Sequence, residues 1–230
     1  MRDQKSNPLA TMPDAQTDFG AADSEGVVAA VTRKRPKPGE RRVQILQALA
    51  EMLEQPGADR ITTAALAARL QVSEAALYRH FASKAQMFEG LIEFIENSVF
   101  SLVNQITERE HDEGELGVPT GSRQAAKVIA MVLHFAEKNP GMTRVMVGDA
   151  LVFEHDRLQQ RMNQFFDKIE ATIRQGLRGD ASVSATPTTD AQVLAGVLTA
   201  FVIGRLHRFA RSGFRRLPSE HLDASLGLIF

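Results

Sequence analysis

Residues 62–84, TTAALAARLQVSEAALYRHFASK, decide how this chain is read. Thr62 or Thr63 can N-cap a short Ala-rich helix in which Leu66 and Leu70 stand at i, i+4. Gln71-Val72 supplies a tight turn, and Ser73 N-caps a second short helix with Leu77 and Phe81 facing inward. Two short helices held at a steep angle around Leu66, Leu70, Val72, Leu77 and Phe81 make a helix-turn-helix. Its second helix can enter a major groove N-terminus first. The outward residues suit that task. Glu74, Ala75 and Ala76 are small or acceptor groups able to approach base edges or a thymine methyl. Tyr78, Arg79, His80 and Lys84 are donors suited to phosphate oxygens, which position without specifying.

The residues around this motif carry a matching charge. Between residues 33 and 84 there are ten Lys/Arg against five Asp/Glu, a local surplus of five positive charges in a chain of net charge −1. A basic module joined to an acidic remainder is the asymmetry of a nucleic-acid binder with a separate regulatory half. Upstream, Val43, Ile45, Leu46, Leu49 and Leu53 mark a first helix from Arg41 that stops at Pro56-Gly57. Residues 1–40 lack a sustained apolar period, end in RKRPKPGERR and are read as a disordered, basic-ended extension. They show no apolar segment of a secretory signal.

Downstream, Ser83 caps a long fourth helix with the stripe Phe88, Leu91, Ile95, Val99, Leu102 and Ile106. Phe94 and Phe100 fall about 120° away from it and need a second surface. A fifth helix runs from about Ser122 to Asn139, and Pro140-Gly141 opens a short sixth. Near 154–178, Leu158, Met162, Phe165, Ile169, Ile173 and Leu177 recur at spacings of three and four. The eighth helix, about 189–211, is apolar nearly all round, with Gly196, Ala200 and Gly204 at every fourth residue. That pattern implies close helix approach in a core or a subunit interface. Its weakly polar run, 191–204, is 14 residues, short for a membrane span. No strand alternates convincingly, so the expected class is all-α. The organisation is residues 1–40 as an extension, 41–86 as the DNA-binding module and 87–230 as a helical body.

Catalytic readings find no support. Among 230 residues there is no cysteine, the six histidines have no metal-ligand spacing, and neither a nucleophile elbow nor a phosphate-binding glycine loop occurs. No enzyme, metal or cofactor is expected.

ITTAALAARLQVSEAALYRHFASK resembles the DNA-binding domain of TetR-family regulators, with their Tyr-x-His-Phe-x-x-Lys ending. That resemblance implies an all-helical homodimer with three N-terminal helices on palindromic duplex DNA. The body segments EFIENS and EKNPGMTRVMVGDALVFEHDRLQQRMNQFFDKIEATIRQGLR are similar to the nucleoid occlusion branch of that family. This closer resemblance implies a cytoplasmic, nucleoid-associated protein that antagonises assembly of the division GTPase FtsZ. Higher-order assembly on DNA is possible in this reading, and no membrane role is implied. The partner surface carried over by position is Phe94, Glu96, Met131, His134, Lys138 and Asn139, with departures at Leu102 and Lys138. Dimer contacts are expected from Leu158, Phe165, Ile169, Gly196, Ala200 and Gly204. The alternative is a ligand-responsive repressor with an apolar cavity inside its body.

Overall fold

The computed structural model describes residues 39–55, 60–112, 120–180 and 187–230. The extension over 1–38, the Pro56-Gly57 stop and the centres of the two long loops lie outside them. Residues 36–230 form one compact unit. Its elements are α1 (Glu40–Leu53), α2 (Thr63–Arg69), α3 (Glu74–Tyr78), α4 (Lys84–Asp112), α5 (Thr120–Lys138) and α6 (Pro140–Met146). A 3-10 turn at Asp149–Leu151 follows, then α7 (Asp156–Asp180), α8 (Pro187–Arg211) and a short α9 (Leu222–Leu226). The described residues contain no strand, and the all-α expectation holds. Neither the 3-10 turn nor α9 carries a periodic signal long enough to read in advance.

The first three helices follow their caps. Thr62 Oγ1 accepts from Ala65 N at 3.1 Å, and Ser73 Oγ accepts from Ala76 N at 3.3 Å. Between them Gln71 adopts φ 55°, with Val72 N on Ala67 O and Gln71 N on Ala68 O, both at 3.0 Å. This is a Schellman turn with a glutamine in the left-handed position that glycine favours. It reverses the chain while satisfying the last carbonyls of α2. Leu66, Leu77 and Phe81 are buried in the same core as Ile45, Leu49 and Leu53 of α1.

α4 is one continuous helix across residue 86, so the expected division into module and body marks a change of role within an unbroken element. Its buried side is Phe88, Leu91, Ile92, Ile95, Val99 and Val103. Leu102, expected on that stripe, is exposed, because the packed face drifts round to Val103 over this many turns. Phe100 finds its second surface on α7, edge-on to Phe165 at 5.5 Å between ring centroids.

The body is centred on α7, which packs most extensively on α5 and α8. Leu158, Met162, Phe165, Ile169, Ile173 and Leu177 of α7 are all buried inside this single subunit. Leu158, Phe165 and Ile169, expected at a dimer interface, are thus placed in the interior of one subunit. α8 carries two apolar faces. Ala191, Ala195, Leu198, Val202, Leu206 and Phe209 point into the core. Val193, Val197, Ala200 and Gly204 point out, half a turn away. Thr188–Arg211 is long and apolar enough to cross a membrane by length and composition, more than its 14-residue run suggested. Arg205 anchors the following segment, donating to Pro218 O at 2.8 Å, Glu220 O at 2.6 Å and Ser225 Oγ at 2.7 Å. Burial pushes its pKa below the ordinary arginine value, outweighing the attraction of Glu220.

Candidate nucleic-acid interface and partner groove

The outer face of α2 and α3 gathers most of the residues expected on DNA. Thr62 stands before α2, and Glu74, Ala75, Tyr78 and Arg79 are exposed along α3; Thr63, Ala76 and His80 are half-buried. Thr63 joins the two helices: its hydroxyl donates to Glu74 Oε2 at 2.5 Å and stands 3.5 Å from the Tyr78 hydroxyl. Glu74 is thus braced across the motif, and the hydroxyls of Thr62 and Ser73 act as caps. Arg79 is exposed, with no ion pair among the described residues. His80 contributes through its backbone, because its carbonyl accepts from Arg42. The Arg42 guanidinium also lies 4.1 Å from the Phe81 ring centroid, which fastens α1 to the end of α3.

Lys84, expected on phosphate, is held instead by Glu154 of the body. Spacing along the chain held no sign of that pair, because the partner lies 70 residues away.

A groove of about 320 Å³ opens where α1, α4 and α6 meet. Val43, Leu46 and Ala50 line it from α1, and Leu91 and Phe94 from α4. Asn139 and Met142 line it from the start of α6, with Gln47, Glu51 and Glu54 also present. Phe94 is 45% exposed. Asn139 is fixed there by donating to Phe135 O at 2.7 Å, which closes the last turn of α5. Met131, His134 and Lys138 lie along one face of α5 by their spacing and are not part of this lining.

Glu96 is not brought to the groove. Two residues along a helix is a rotation of 200°, which turns it from Phe94 toward α7. There Arg161 grips it through Nη2 at 2.7 Å and Nε at 3.3 Å. Its hydrogen bond with Glu96, aided by Glu93 and Glu89, raises the arginine's pKa against the effect of burial. Arg157 pairs with Glu89 at 2.7 Å in the same row. Val43, one of the apolar residues that mark α1, is exposed and lines the groove; the docking of α6 shows which side of α1 is lined.

On α8, Gly196 and Gly204 have no atom within 4 Å of where a Cβ would stand. Their smallness serves nothing inside the subunit. Val193 and Val197 continue the same outer stripe and were missed, although their spacing from Gly196 and Ala200 carried the signal.

Residues 45–91 match the family described as bacterial regulatory proteins, tetR family. Residues 122–230 match a family described as tetracyclin repressor-like, C-terminal domain, of the SlmA-like kind. The chain is similar to the nucleoid occlusion factor SlmA of Idiomarina loihiensis, 51% identical over 185 residues, which span 80% of this chain and 90% of that one. The factor of the same name from Photobacterium profundum is 50% identical over 189 residues, 81% and 92% of the two chains. Among solved structures, a TetR-family transcriptional regulator from Bordetella parapertussis superposes with a TM-score of 0.62 at 16% identity, covering 84% of this chain and 95% of that one. FadR from Bacillus subtilis, in complex with stearoyl-CoA, gives 0.61 at 12%, covering 81% and 96%. At such identities these two show the fold alone.

Proposed function

The chain belongs to the SlmA group of nucleoid occlusion factors within the tetR family, and from that premise we propose that it is a cytoplasmic, nucleoid-associated homodimer. In this reading the dimer binds palindromic chromosomal sites and, when bound, antagonises FtsZ assembly so that no septum forms over the nucleoid. The observation that carries the reading is the groove at Phe94. It is built jointly from α1 of the DNA-binding module and from α4 and α6, so a partner seated there contacts both halves of the protein at once. An apolar floor with a half-exposed aromatic is the form of a protein-binding hot spot.

Dimerisation is supported by the outer face of α8, where Val193, Val197, Ala200 and Gly204 leave an apolar stripe uncovered. Two copies of α8 approaching over the small residues cover it. The ligand-responsive repressor is less well supported. The space between α5, α7 and α8, where an effector would sit, is filled by Ile129, Val132, Leu133, Phe165, Ala195 and Leu198, all fully buried.

The test joins location to activity. Chromatin immunoprecipitation is expected to return many palindromic sites spread over the chromosome. Purified protein with such a duplex is expected to reduce the FtsZ polymer recovered by sedimentation, and protein without duplex to reduce it less. A single site beside the protein's own gene, with FtsZ polymer unchanged, would instead mark a local repressor.

A further inference from the structure

Lys84 opens α4, directly after the helix-turn-helix, where its ammonium can reach a phosphate. It is ion-paired with Glu154 and lies 5.7 Å from the centroid of the Phe88 ring. The pair is well covered: the side chains of Lys84 and Glu154 are 27% and 11% exposed. Glu154 comes from the body. It sits in the turn between the 3-10 turn and α7, tied down by its N–H on Leu151 O at 3.0 Å. Two α4–α7 pairs among the described residues, Glu89 with Arg157 and Glu96 with Arg161, lie farther along α4.

We propose that Glu154 competes with the DNA backbone for Lys84, holding the ammonium in the free protein and releasing it to a phosphate on binding. The proposal rests on the reading that residues 62–84 dock on duplex DNA. A carboxylate and a phosphate diester are both singly charged oxygen acceptors. Lysine, a point charge on a flexible stem, can swing between them without a fixed fork geometry to rebuild. The exchange leaves a scarcely hydrated carboxylate near the duplex, so the loss exceeds that of a surface pair. Glu154 therefore sets a threshold on DNA affinity. Because only a phosphate contact is involved, that threshold applies to every sequence alike.

The test is fluorescence-anisotropy titration of the full chain with a selected palindromic duplex and a random duplex across a salt series. Glu154→Gln is expected to bind both duplexes about three- to tenfold tighter. In a Lys84→Ala background the same change is expected to leave affinity within about twofold. Lys84→Ala alone is expected to flatten the slope of log K against log salt by about 1.8 for the dimer, about 0.9 for the one phosphate's counterions lost in each subunit. Glu154→Asp, which keeps the charge and draws it back, should give a smaller gain in the same direction. It serves as the test if the Gln variant fails to fold. An unchanged or weaker affinity in the folded variant overturns the proposal. So does an equal gain with and without Lys84, since the glutamate would then act only as a general negative charge. Failure of the unaltered protein to bind any duplex would overturn the DNA reading itself, a result separate from those two.

Discussion

A Cβ on Gly141 would stand 1.9 Å from the carbonyl oxygen of Ala50. Nothing but a hydrogen fits between the first turn of α6 and the backbone of α1, so this glycine sets how closely the body docks on the DNA-binding module. The floor of the Phe94 groove, with Ala50 and Met142 on either side, depends on that approach.

Gly141→Ala should therefore force α6 off α1. A methyl against backbone cannot be relieved by a rotamer change, so a loss of about 1–3 kcal/mol or more is expected in urea denaturation. A variant as stable as the parent would show that α1 and α6 are free to separate.

Phe94→Ala removes a half-exposed ring from the groove without opening the core. Stability and binding to a palindromic duplex should stay close to normal, while inhibition of division on overproduction is lost. Filament length in cells and anisotropy on the purified protein check the two halves. Continued inhibition would remove the groove from the partner surface.

Glu96→Ala is expected to behave differently, although it lies only two residues away. Its carboxylate is held by Arg161. Loss of a charged hydrogen-bonded pair should cost about 1–3 kcal/mol in urea denaturation. A stable Glu96→Ala protein that specifically loses FtsZ inhibition would return this residue to the partner surface.

Val197→Glu places a charge on the outer stripe of α8, half-exposed in one subunit. Helicity by circular dichroism should be retained, and light scattering at micromolar concentration should move from dimer to monomer. Ala200→Leu should weaken the dimer by overpacking the close approach. A monomer before any substitution would count against the α8 interface altogether.

Much of the fold could be read along the chain because its signals are local. Thr62 and Ser73 lie within three residues of the amides they cap, and the stripes of α5 and α7 repeat over many turns. Phe94 was legible as an aromatic off its helix's stripe. Glu154 was not, since an acid in a turn shows no preference among distant cations. Leu102, expected on the stripe of α4 and found exposed, lies at the margin of an apolar face, where position on the wheel does not decide burial.

By itself the sequence determined the first eight helices, the helix-turn-helix and the family, because caps, turns and periodicity act over a few residues and identity with relatives is counted position by position. Only the tertiary structure decided which of two apolar faces of α8 is core and which is left outside. It alone decided that α7 satisfies its stripe within one subunit, and that Lys84 meets a carboxylate from the body. The reason is that burial and ion pairing belong to pairs of surfaces. A residue's own chemistry says that it needs a partner, and the packing of helices far apart in the chain says which one it gets.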